Sequence, residues 1–124
     1  MNRLLLSVVA VLAVAACSAG PNVMGEAPSI EPDALRISAN NLAFSTSTLS
    51  APAQEAFQIV FDNQESAPHN VAIYRDASAA ERMFGSEPFG GPAVAVYGVP
   101  ALEPGTFFFR CDVHPDMSGQ LVAG

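Results

Sequence analysis

From residue 35 onward, short runs in which apolar and polar residues alternate are separated by turn-forming residues. Leu35-Arg36-Ile37-Ser38 and Phe57-Gln58-Ile59-Val60-Phe61 alternate with period two, the second ending at the turn signal Asp62-Asn63. That period predicts half-buried strands. His69 to Tyr74 predicts a third strand and Val94 to Val99 a fourth. Thr106-Phe107-Phe108-Phe109-Arg110-Cys111 predicts another after the turn pair Pro104-Gly105, and Gly119 to Val122 closes the sheet. Asn40 to Phe44 continues the first run toward a bend. Asp76 to Phe84 holds good helix formers, with Asp76 as cap and Gly85 as stop, and predicts one short helix. Phe84 to Pro92 reads as an ordered loop. Short strands with turns between them predict an all-β antiparallel sandwich or barrel.

The first residues follow a different pattern. Met1-Asn2-Arg3 precedes an apolar run, Leu4 to Ala16, interrupted only by Ser7 and with no polar face. A basic start, an apolar stretch and small residues behind it are the marks of an export signal. The run falls short of the roughly 20 residues a membrane-spanning helix requires. Val14-Ala15-Ala16-Cys17 resembles the lipobox of bacterial lipoproteins, in which the cysteine becomes the lipidated first residue of the mature chain. The expected division is therefore a signal peptide over 1–16, a lipid-anchored flexible linker over 17–33 rich in Pro and Gly, and one folded domain over 34–124.

Charge narrows the partners. Removing residues 1–16 takes Arg3 and no acid, which leaves twelve carboxylates against four arginines and no lysine. A surface of that sign excludes a nucleic-acid role, because phosphates demand basic groups. It suits a partner with a basic docking surface, or solubility beside an anionic membrane. The two cysteines of an exported chain could form a disulfide, Cys17 to Cys111. Against that pairing, Cys17 belongs to the lipobox and Cys111 stands among potential metal ligands.

Those ligands sit in Cys111-Asp112-Val113-His114-Pro115-Asp116-Met117, where a thiolate, an imidazole and a thioether follow one another at intervals of three. The chain's other histidine, His69, opens a strand some forty residues upstream. Two His, one Cys and a weak axial Met form the donor set of blue copper. Taken singly, each has a plainer reading: a satisfied histidine, a buried cysteine, a core methionine. Zinc is a further option, although it prefers donors other than thioether. Strand parity puts Cys111 on the face of Phe107 and Phe109, in an aromatic interior.

At these residues the chain resembles the cupredoxins. The resemblance runs from Leu35 to Gly124 and is strongest at Pro68-His69-Asn70-Val71 and from Gly105 to Gly119. The spacing Cys-x₂-His-x₂-Met, with Pro after His, is similar to that of amicyanins; plastocyanin-type loops are longer between His and Met. The resemblance implies a Greek-key β-sandwich holding one copper ion. It implies His69, Cys111 and His114 as equatorial ligands, Met117 as axial ligand, and Asn70 as a hydrogen-bonding brace between the two ligand loops. Arg110 stands where plastocyanins carry Tyr, which weakens a lateral electron route. Asp112 and Val113 replace the usual Ser/Thr-Pro; Asp112 is expected to be solvated, and a carboxylate buried beside the thiolate would instead favour Cu(II) and lower the potential.

The function implied is transfer of single electrons between redox proteins by a monomer at the outer side of the membrane or in the periplasm, not enzyme catalysis. The alternative is a copper chaperone or store. Oxidase or reductase chemistry demands additional histidines, and a dinuclear copper centre a second nearby cysteine. Chaperones commonly offer open Met/His-rich clusters, and none is present in the sequence.

Overall fold

The computed structural model describes residues 28–124. The expected signal peptide, Cys17 and most of the expected linker lie outside the described residues. Nine strands make up the described part: β1 Leu35–Asn40, β2 Ala43–Phe44, β3 Thr48–Ala51, β4 Phe57–Asn63, β5 Ala72–Tyr74, β6 Arg82–Gly85, β7 Ala93–Val99, β8 Gly105–Arg110 and β9 Ser118–Ala123. They form a four-stranded sheet in the order β2-β1-β4-β7 and a five-stranded sheet in the order β3-β9-β8-β5-β6.

The sheets are mixed, where wholly antiparallel pairing was expected. β1 runs parallel to β4 (Leu35 opposite Ile59, Ala39 opposite Asn63), and β3 runs parallel to β9. The remaining pairs are antiparallel. Side-chain alternation is the same in either sense, so the sequence pattern does not separate them.

The expected helix is not formed. Ser78 N–H donates to the Asp76 carboxylate, Ala79 N–H donates to the Asp76 carbonyl, and Ala79 takes a left-handed φ of 54°. A non-glycine residue there ends any helical path. Residues 82–85 instead pair with β5, with Ile73 opposite Phe84. That pairing packs Met83 and Phe84 against the core, a larger gain than a single exposed turn of helix offers.

One core lies between the sheets. Ile37, Ile59 and Phe61 from the first sheet meet Ile73, Phe107, Phe109 and Leu121 from the second. Phe44 bridges them, its ring 6.2 Å from Phe61 and 5.6 Å from Phe109. Gly119 is required at its place, because a Cβ there would collide with the Ser47 carbonyl and the Phe109 ring. Strand ends fix the position of everything that follows. Asn40, Asn63, Arg110 and Ser118 all reach the same pole of the sandwich, the one that carries His69 and Cys111.

Candidate metal centre

His69 lies between β4 and β5 and is held before the strand proper begins. Its N–H and C=O exchange hydrogen bonds with Phe89, each 3.1 Å. The strand expected from His69 to Tyr74 thus starts at Ala72, after an isolated bridge. Phe89, from the expected loop, is the other half of that bridge.

Cys111 follows β8 directly and is fully buried with Phe109, while Phe107 is nearly so. The loop after it is closed by its own backbone. Cys111 N–H donates to the Met117 carbonyl and Met117 N–H to the His114 carbonyl, both 2.9 Å. The second bond closes a turn over 114–117 that brings Met117 back beside Cys111. Met117 is buried at the loop's end.

The Cys111 Sγ faces His69 Nδ1 at 3.7 Å and His114 Nδ1 at 3.9 Å, and the two rings lie 4.8 Å apart, centre to centre. All three donor atoms fall within 4.8 Å of one another. Metal bonds of about 2.0–2.1 Å to nitrogen and about 2.3 Å to sulfur, opened to about 120°, place N and S about 3.8 Å apart. The triangle therefore has the size of a trigonal metal site. Two imidazoles and one thiolate in a triangle, with a methionine beside them, are positioned as in a type 1 copper site, and one copper ion is the cofactor they fit.

Two acids at the site take up roles that only the fold defines. Glu65 lies four residues before His69, and its Oε1 accepts from His69 Nε2 at 2.7 Å. That bond keeps the proton on Nε2 and the lone pair of Nδ1 toward the sulfur. Glu65 also accepts from the N–H groups of Asn41 and Leu42, at 3.1 and 2.9 Å. These two residues form the β1–β2 turn with φ of 53° and 56°, the geometry of a two-residue hairpin. The Leu42 amide, the His69 ring and the Asn41 amide together hold the Glu65 carboxyl below its usual range, against a smaller upward push from burial. The only sequence signal was an acid placed just ahead of His69 in a turn-rich stretch.

Asp112 is the second acid, and the expectation that it is solvated is corrected. Its side chain is 24% exposed and accepts from Tyr74 Oη at 2.6 Å, Asn70 Nδ2 at 3.0 Å and Arg110 Nε at 3.1 Å. Its own N–H donates to Asn70 Oδ1 at 2.7 Å. Burial pushes the carboxyl up, but bonds from Tyr74, Asn70 and Arg110 and the charge of Arg82 outweigh it and hold it below the ordinary range. Asn70 thus joins the His69 segment to the Cys111 loop through two bonds.

His114 opens toward solvent in a shallow cleft with Leu42, Val113, Pro115 and Met117. Leu42 and Val113 are 55% and 43% exposed, so one part of the rim is apolar, and Asp116 adds an acid to it.

Among solved structures, the fold is similar to dithionite-reduced auracyanin from Roseiflexus castenholzii (TM-score 0.66, 17% identity, 77% of this chain and 99% of that one). Auracyanin A of Chloroflexus aurantiacus, described as a "blue" copper protein, gives a TM-score of 0.64 at 19% identity over 73% of this chain and 98% of the other. Amicyanin from Paracoccus versutus gives 0.52 at 21% identity over 77% and 85%. None of the curated proteins compared with the chain matches it. The likeness to these structures is one of fold, whereas the family model of the cupredoxin-like domain matches residues 4–123, nearly the whole sequence. With that match, and with two imidazoles and a thiolate converging at the end of a two-sheet sandwich, the chain belongs to the cupredoxin-like domain family.

Proposed function

We propose that the protein carries single electrons between redox proteins, with His69, Cys111 and His114 as equatorial copper ligands and Met117 as the axial one. The observation that carries this reading is a donor triangle already closed and braced from both sides. Glu65 orients His69, Asn70 and Asp112 tie the two ligand segments together, and two backbone bonds close the Cys111–Met117 loop. When bound, the copper supplies one electron by cycling between Cu(I) and Cu(II).

The residues around the site make that cycle easy to repeat. Donors held by packing and hydrogen bonds move little when the charge on the ion changes, so little reorganisation opposes transfer. The Cys111 side chain is fully buried, at the end of the strand that carries the buried Phe109, so water is kept from the sulfur. His114, at the apolar part of the rim formed by Leu42, Val113 and Pro115, is the exit to a partner. A small apolar contact within an acidic protein suits a short encounter: charge steers a basic partner in, and weak contacts release it. Both histidines of the chain are used at this one site, which supports a carrier and not an enzyme.

The same reading takes the chain as an exported lipoprotein, with residues 1–16 removed, Cys17 lipidated, 17–33 as a tether and 34–124 as the domain, acting in the periplasm or at the outer side of the cell membrane. Cys17→Ala should release the protein from the membrane fraction or leave it uncleaved; a mature N-terminus other than modified Cys17 would count against it. For the carrier role, electron self-exchange and copper loss to a competing chelator are measured on one sample. Rapid exchange with slow loss is expected. Slow exchange with ready loss would replace the carrier by a copper chaperone or store.

A further inference from the structure

The Asp112 carboxylate is tied to more of the molecule than any other acid near the site. It sits one residue after Cys111, yet its partners come from the outer side of three strands. Tyr74 lies on β5, Arg82 on β6 (Nη2 to Oδ2, 3.4 Å) and Arg110 on β8, and Asn70 reaches it from the His69 segment. The Arg110 guanidinium also lies over the Tyr74 ring, 4.9 Å from its centre. Arg82, 49% exposed, reaches Asp112 by lying across Gly85, and a Cβ on Gly85 would occupy the space of its guanidinium. A bare backbone at position 85 is thus part of how the arginine gets there.

We propose that Asp112 is a positioning residue with an electrostatic role. It clamps the Cys111 loop to the His69 segment, and Arg82 and Arg110 offset its negative charge beside the thiolate. An uncompensated carboxylate near the copper favours Cu(II) and lowers the potential; a guanidinium on that carboxylate opposes this. Arg82 makes the sharper test because it contacts no residue of the donor set. Its side chain also stands partly in solvent, so its influence falls as salt rises. The inference rests on the copper reading of the site and adds to it a group that sets the potential.

The test uses the full chain loaded with copper, with reduction potential and the visible spectrum read together. Arg82→Gln should lower the potential, and Gly85→Ala, which displaces the same guanidinium without removing its charge, should lower it too. Asp112→Asn should raise it. All three should keep the blue band, since no donor is changed. Asp112→Ala should in addition lose copper to a chelator several-fold faster, because the tie to Asn70 Nδ2 is gone. In an Asp112→Asn background, Arg82→Gln should shift the potential much less than it does alone. Should either Asp112 variant fail to fold, Arg82→Gln and Gly85→Ala decide the matter by themselves. A blue wild type whose potential ignores Arg82→Gln and Gly85→Ala overturns the inference and leaves the copper site standing. A wild type that stays colourless with Cu(II) removes the copper reading and the inference with it.

Discussion

The four-stranded sheet turns Ile37, Ile59 and Phe61 inward and carries no donor of the metal triangle, whereas the five-stranded sheet runs from His69 into β5, out of β8 into Cys111, and from Met117 into β9. The two tyrosines of the chain show the same division. Tyr74, on the donor-bearing sheet, donates to Asp112 at 2.6 Å. Tyr97, on the other, packs its ring against Phe84 at 5.8 Å, and its buried hydroxyl faces Ser86 without closing a hydrogen bond among the described residues. One sheet is a wall defined by volume, and the other is held by directed bonds. Both sheets supply the core, so cavities cost on either side, but the donor-bearing sheet is also exposed to the loss of directed bonds.

Substitutions on the two sides should therefore fail differently. The largest effect belongs to Cys111→Ser, which should abolish the intense absorption of the Cu(II) protein; a colourless stoichiometric wild-type complex would defeat the assignment outright. Phe61→Ala, on the wall, should cost about 3–5 kcal/mol in denaturant unfolding while the band of the folded fraction stays in place. A displaced band would mean that the wall shapes the site as well. Tyr74→Phe should cost about 1.5–3 kcal/mol, the range for a hydrogen bond to a charged group. Tyr97→Phe should change stability by less than about 1 kcal/mol, in either direction, because no bond is lost.

Tyr97 also gives the comparison a pH arm. Burial raises its pKa above 10.0, so the folded state holds the phenol proton more tightly than the unfolded chain does. Its share of stability is complete below pH 10.0 and declines as pH rises through the folded-state value. The fall in unfolding free energy on going alkaline should be shallower in Tyr97→Phe than in wild type, and equal slopes would show that the ring is not buried in solution.

Much of this was legible in the residues. β4, β7 and β8 follow from alternation, and the donor set from its spacing, because both are local patterns. Thr48–Ala51 carried no comparable signal: Ser, Thr and Ala fit a turn as well as a strand, and only pairing with β9 turns Leu49 and Ala51 inward. The alanine-rich stretch after Asp76 misled for the opposite reason. Its helix propensity is real, but a few tenths of a kcal/mol per residue do not outweigh the packing of Met83 and Phe84. Glu65 carries no mark in the sequence, and Asp112 reads there as a solvated acid, because a surface acid and a structural one look alike until their donors are known. Those donors come from up to 42 residues away, as Asn70 does for Asp112.

The route of the chain through the sandwich has a mechanical consequence. β1 begins at the pole away from His69, where the Gln58 side chain bonds Ser29 and Glu31, and Gly124 ends at that pole beside Ala51. A pull on the chain ahead of β1 meets the Gln58 bonds to Ser29 and Glu31 first and then enters the first sheet at Leu35. The load then runs along β1 and shears its five-residue register with β4, a direction in which the hydrogen bonds share the force and do not open one at a time. The Cys111–Met117 loop hangs from the other sheet, at the far pole, and takes no part in the β1–β4 pairing that carries the load.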